Sequence, residues 1–237
     1  TAIDEPTVKP TDLEGKQGFC LQQIFLSEQW PKPCNYSYVQ GFEFYNDGSF
    51  RMAVGSLGRG CGDDGTYRPV SRIVFASAKQ QFQQFSNNSW VTWSNEKWNL
   101  QNELMQFESG KYAYKLLTSD GGGYLIEPGN GQFENNKGDF AYTYITRHHT
   151  DRAEGDADLP TIGPCCNIDF HQGPEKFIDA APENIVDQPL VFWYVPQLKN
   201  NGKPGQQYCW AESYIENGVY KTRTYPCLAG PLFVPFK

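Results

Sequence analysis

The chain has 237 residues, 20 Lys+Arg against 27 Asp+Glu and a formal charge of −7. That balance excludes a nucleic-acid binder, because phosphate neutralisation needs clustered Lys and Arg. No run of about 18 apolar residues exists, so no helical membrane span is expected. With 14 Tyr, 16 Phe, 6 Trp, 23 Gly and 16 Pro, the composition favours strands and turns over long helices. It excludes a helical bundle and disfavours a repeating β-α-β order.

Taken in chain order, residues 1–16 are polar, carry Pro6 and Pro10, and read as an extended N-terminal arm. Residues 17–237 read as one domain, an all-β antiparallel β-sandwich with long loops. Asn46-Asp47-Gly48 is a tight-turn signal and predicts a hairpin between Phe44-Tyr45 and Ser49–Met52. Gly55 to Gly65 holds five glycines and reads as a loop. Val70 to Phe75 reads as a strand. In 79–107, rich in Gln and Asn, Asn95 predicts the cap of a short helix through Met105. Tyr112–Leu117 and Tyr124–Ile126 read as strands flanking Gly121-Gly122-Gly123, and Phe140–Thr146 as another. Residues 150–189, with many Asp, Gly and Pro, read as a long ordered loop. Leu190–Val195 is a continuous apolar strand of core type. Tyr208–Ile215 and Val219–Tyr225 read as a hairpin around Glu216-Asn217-Gly218.

Seven cysteines, none spaced Cys-x-x-Cys, fit disulfides in a secreted protein better than a zinc or redox motif. A start at Thr1 suits a mature form whose signal peptide has been removed. Asn87-Asn88-Ser89 and Asn35-Tyr36-Ser37 are glycosylation sequons. The expectation is a secreted glycoprotein with one cysteine left over. Cys20 with Cys34 and Cys209 with Cys227 are the local pairs to try first. The connectivity itself is open, as adjacent Cys165 and Cys166 must reach different partners.

Two stretches carry a family resemblance. The first is Asn35-Tyr36-Ser37-Tyr38, followed by Phe42–Tyr45 and Asn46-Asp47-Gly48-Ser49-Phe50. The second is His148-His149-Thr150-Asp151-Arg152-Ala153-Glu154, then Asp158-Leu159-Pro160. Both are similar to motifs of the catalytic β-sandwich domain of copper amine oxidases. The resemblance implies that Tyr36 stands where the family's cofactor tyrosine becomes topaquinone, and that His149 matches a copper ligand. The Arg68–Phe75 segment resembles the strand carrying the family's other two ligands, a His-x-His pair. With Arg72 aligned, those positions are Gly65 and Tyr67 here. The family's catalytic base is an Asp far upstream of the cofactor Tyr, and only 35 residues precede Tyr36. A family Asn is buried before the cofactor; here Asn35 opens a sequon.

These departures predict a secreted, disulfide-bonded protein that is non-catalytic, with a binding or structural role, no cofactor, and a glycan or protein as ligand. Tyr36 is then expected to be an unmodified, packed core tyrosine. One alternative is a reduced copper-dependent amine oxidase or other copper redox protein using Tyr36 and His149, with copper or topaquinone as cofactor. Under it the metal candidates are His149, with His148 or His171; adjacent strand residues face opposite ways, so only one of His148 and His149 joins a given site, with His171 and a carboxylate completing it. A second alternative is a carbohydrate-binding protein using Trp90, Trp93 and Trp98.

Overall fold

The computed structural model of the chain describes residues 5–56, 64–129, 131, 137–149, 181–201, 210–225 and 229–237. The described regular structure is all β. In chain order the strands are β1 (Thr7–Leu13), β2 (Lys16–Leu26), β3 (Ser37–Tyr45), β4 (Phe50–Ser56), β5 (Asp64–Tyr67), β6 (Ser71–Val74), β7 (Gln80–Ser86), β8 (Ser89–Thr92) and β9 (Lys97–Leu100). They continue with β10 (Tyr114–Thr118), β11 (Gly123–Glu127), β12 (Tyr142–Arg147), β13 (Leu190–Val195), β14 (Leu198–Asn201), β15 (Trp210–Glu216), β16 (Val219–Tyr225) and β17 (Leu232–Phe236).

All the named pairings are antiparallel. A nine-stranded sheet runs β1-β2-β3-β4-β17-β11-β10-β7-β8, and a four-stranded sheet runs β6-β13-β12-β9. Two pairs, β14-β5 and β15-β16, lie outside both. The main core joins Phe82, Tyr114, Leu116, Ile126 and Phe233 of the larger sheet to Ile73, Ile145, Leu190, Phe192 and Tyr194 of the smaller. β13 is buried along its whole length, as its unbroken apolar run requires. Val191, Trp193 and Val195 pack on its other face with Tyr142 and Tyr144. The core thins towards β1. The cross-strand row Phe233–Phe50–Phe44–Phe19 passes from 0% exposed at Phe233 to 43% at Phe44 and 47% at Phe19.

Within the extended arm expected at residues 1–16, Thr7–Leu13 is a full member of the fold, the edge strand of the large sheet in register with Lys16–Gln22. Two expectations need correction. The predicted helix from Asn95 is absent. Asn95 instead bridges Asn184 and donates its side-chain N–H to Pro182 O (3.0 Å), and Lys97–Leu100 is β9. The glycine-rich loop is shorter than read: Gly55 belongs to β4 and Gly65 to β5. The hairpins at Asn46–Gly48 and Glu216–Gly218 form as expected, with positive φ at Gly48, Asn217 and Gly218. Most of the predicted 150–189 loop lies outside the described residues.

Candidate functional site

Tyr36 immediately precedes β3. Its N–H donates to Ser27 Oγ (2.8 Å) and its carbonyl accepts from Ser27 N–H (3.0 Å), so the chain entering β3 is pinned to the end of β2. Two residues on, Tyr38 lies on the same side of the strand, and the two rings stack at 5.7 Å. Tyr67, the last residue of β5, meets both edge-on, at 6.1 Å from Tyr36 and 5.9 Å from Tyr38. Burial, and then the neighbouring Tyr67 and Tyr36 phenols, hold the Tyr38 hydroxyl well above the usual tyrosine range. Tyr36 itself is 37% exposed. The expectation of a packed core tyrosine is therefore wrong: β3 turns its odd-numbered residues inward, and Tyr36 and Tyr38 fall on the other side.

The histidines lie elsewhere. β12 and β13 run antiparallel, with Tyr142 opposite Val195 and Arg147 opposite Leu190. Tyr67 pairs with Leu198, beyond the Val195 end. His148 donates its backbone N–H to Pro189 O (2.8 Å), beyond the Leu190 end. The full span of β13, about 17 Å at the usual rise per residue, separates the two ends. His149 is thus not brought to Tyr36. Its Nε2 lies 2.5 Å from Glu183 Oε2, and Arg147 approaches the other Glu183 oxygen at 3.7 Å. Glu96, buried behind them, accepts the backbone N–H groups of Arg147 (3.0 Å) and Glu183 (3.3 Å). This cluster orients one imidazole and fastens residues 147–149 to 183. His171 lies outside the described residues.

The remaining candidates are dispersed. Asn35 gives its amide N–H groups to Lys32 O (3.1 Å) and Pro33 O (3.0 Å) and accepts from Ser27 Oγ (2.9 Å). Its side-chain nitrogen is committed to the turn. Asn87 and Asn88 instead form the exposed two-residue turn of the β7–β8 hairpin, both at positive φ. Cys20 and Cys34 are not joined to each other. Cys20 sits mid-strand opposite Glu43, whereas Cys34 lies eight residues past the end of β2. Cys209 and Cys227 lie outside the described residues. The tryptophans do not form one platform: Trp93 is buried against Phe82, Trp90 packs on Phe85, and Trp98 packs on Tyr142.

Sequence reasoning missed two charged centres. Glu43 is buried and accepts from Tyr45 Oη (2.6 Å), Arg51 Nε (2.8 Å) and Arg51 Nη2 (3.0 Å). Counting outward from the Asn46–Gly48 turn places Glu43 opposite Arg51, so this pair could have been read from hairpin register. Asp139 is fully buried and accepts from Gly131 N–H (2.8 Å), Gly230 N–H (2.9 Å) and Tyr194 Oη (2.9 Å). Burial raises its carboxyl to about 6 against the pull of those donors and of Arg51. No local motif announces it, because its partners lie up to 91 residues away.

Architecture and site together define an antiparallel β-sandwich carrying a tyrosine cluster at the entry to β3. The chain matches no protein-family model and no curated protein. Solved structures similar to it include two amine-oxidizing enzymes. One is PPLO, the Pichia pastoris lysyl oxidase, at TM-score 0.50 and 14% identity, covering 98% of this chain and 38% of that one. The other is an Aspergillus nidulans amine oxidase, at TM-score 0.50 and 12% identity, covering 100% of this chain and 37% of that one. The chain has a copper amine oxidase-like fold and spans under two fifths of the length of those proteins.

The motif resemblance implies copper and a tyrosine-derived quinone, and among the described residues those beside Tyr36 do not fit them. The motif alignment puts the His-x-His positions at Gly65 and Tyr67, and the structure places Tyr67 against Tyr36 as a phenol packed among phenols. Copper in such a site prefers imidazole donors. Among the described residues no group of three or more His, Cys, Asp or Glu is disposed to hold a metal ion, and none of their helices is long and apolar enough to cross a membrane.

Proposed function

We propose that this chain is a secreted, non-catalytic protein on an amine oxidase-like sandwich, acting in a binding or structural role. The observation that carries the reading is the Tyr36–Tyr38–Tyr67 cluster. Where quinone formation would need a metal held beside the tyrosine, Tyr36 meets two aromatic rings, at 5.7 and 6.1 Å. The one family-matched imidazole, His149, is engaged by Glu183 at the other end of β13. Amine oxidation further needs a base to take a proton from the substrate, and the family resemblance assigns no residue of this sequence to that role.

Secretion is supported by the cysteine content and by the exposed Asn87 turn, which offers a sequon where a glycan meets no packed surface. On this reading Asn87 carries the glycan and Asn35 does not, and at least two disulfides form among the cysteines other than the Cys20–Cys34 pair. Peptide mass mapping of protein secreted from a eukaryotic host tests all three points. Finding all seven thiols reduced, or a glycan on Asn35 alone, contradicts them. The chemistry is tested by a carbonyl-reagent stain of copper- and oxygen-treated protein, together with the mass of the peptide containing Tyr36. An unstained band and an unmodified tyrosine are expected; a quinone mass overturns the reading.

A further inference from the structure

A pocket of about 210 Å³ lies at the Tyr45 end of β3, away from Tyr36. Lys16, Arg51, Lys111 and Glu127 line it, and Gly129 and Gly230 form part of its wall. Each cation has a partner: Lys16 with Asp47 (2.8 Å), Lys111 with Glu14 (3.5 Å), and Arg51 with Glu43. Glu127 does not. It is half-buried, and among the described residues its carboxylate makes neither a hydrogen bond nor an ion pair; burial raises its affinity for a proton. Lys111, Arg51 and Lys16 attract Glu127 through space and Glu14 repels it, but none of them is bonded to it. A partly desolvated carboxylate without a donor is costly, and a ligand N–H group relieves that cost. The lysines and Arg51 keep N–H groups beyond those used in their ion pairs, so the same pocket also offers donors to a ligand carboxylate.

The open space is built in. A Cβ at Gly129 would stand 2.1 Å from Asp139 Oδ2, one at Gly131 2.2 Å from Asp139 Oδ1, and one at Gly230 1.9 Å from Met52 O. The hydrogen bonds to Asp139 bring these segments so close that no side chain can fill the pocket from that wall. The volume equals that of about seven waters, enough for a few heavy atoms and too small for a nucleotide.

We propose that this pocket binds a small zwitterion of the α-amino-acid class, its ammonium on Glu127 and its carboxylate on the remaining N–H groups of Arg51 and Lys16. The assignment is independent of the Tyr36 reading. It is tested by titrating the full chain with glycine and with alanine, following backbone amide shifts. Acetate and methylammonium serve as the two half-ligands. For so few heavy atoms a Kd on the order of 1 mM is expected, with the largest shifts at Gly129, Gly131 and Gly230. Each half-ligand should bind at least about tenfold more weakly. Glu127→Gln should weaken glycine about tenfold with a melting temperature no lower than that of the wild type, and Lys16→Met, which leaves Glu127 in place, should also weaken it. Absence of saturable shifts with both amino acids overturns the proposal. So does acetate binding as tightly as glycine, or glycine binding equally to wild type and both variants.

Discussion

Glu43 shows how a single buried charge is held in this sheet. It is 4% exposed and is bound by two Arg51 nitrogens and by the Tyr45 hydroxyl. Burial, with Glu43 beside it, pushes that hydroxyl to about 12. Glu43→Ala strands Arg51, whose side chain is only 26% exposed, and should cost about 3 kcal/mol in urea unfolding, the lower end for breaking a buried pair. Tyr36 is the contrasting case. With 37% of its surface in solvent, Tyr36→Ala should cost about 1–2 kcal/mol, below the range of a buried aromatic cavity. Asp139 carries the pH prediction. Its folded value of about 6 lies above its ordinary value of 3.8, so the folded state holds this proton more tightly than the unfolded chain. Its contribution to stability is full below pH 4 and lost as pH rises through 6, opposite to an ion-paired carboxylate. A carbon-detected carboxyl titration should give Asp139 a midpoint near 6 and Asp47, bound to Lys16, one near 2. A normal Asp139 midpoint would contradict its burial.

Among the elements, the β7–β8 hairpin depends on two consecutive left-handed residues, Asn87 and Asn88, at φ 52° and 57°. Asn tolerates that conformation better than other non-glycine residues. Asn88→Ala preserves the Asn87 sequon and should cost about 1 kcal/mol, measured by thermal unfolding. The same hairpin shows where sequence legibility ends. Turns with Asn-Asp-Gly or Glu-Asn-Gly and the apolar run of β13 were readable because their signals are local. β7 was not. Its aromatics, Phe82 and Phe85, are three residues apart and so fall on opposite faces, one in the core and one on Trp90. The Asn95 cap failed because that side chain is claimed by Pro182, 87 residues away. At the site, no local signal announced the contact of Tyr67 with Tyr36, because Tyr67 ends β5 while Tyr36 leads into β3 of a different sheet. The contact of His149 with Glu183 was not legible, because its partner lies 34 residues away in the chain.

Across the whole molecule, the four-stranded sheet covers only part of the nine-stranded one, and stability should follow that cover. Phe233→Ala, in the core, should cost about 3–5 kcal/mol. Phe19→Ala, at the exposed end of the same aromatic row, should cost about 1 kcal/mol, since only part of its area leaves water on folding. Urea midpoints compared at equal m-value check the ratio. The amine oxidase-like sandwich of this chain matches under two fifths of the length of the solved proteins it resembles, and Tyr36, Tyr38 and Tyr67 pack together at the entry to β3. The most direct test of the non-catalytic reading is hydrogen peroxide release from the full chain, incubated with copper and oxygen and then given excess primary amine. The account predicts no release above a copper-only blank. Steady release that saturates with amine and stops on adding a carbonyl reagent would contradict it.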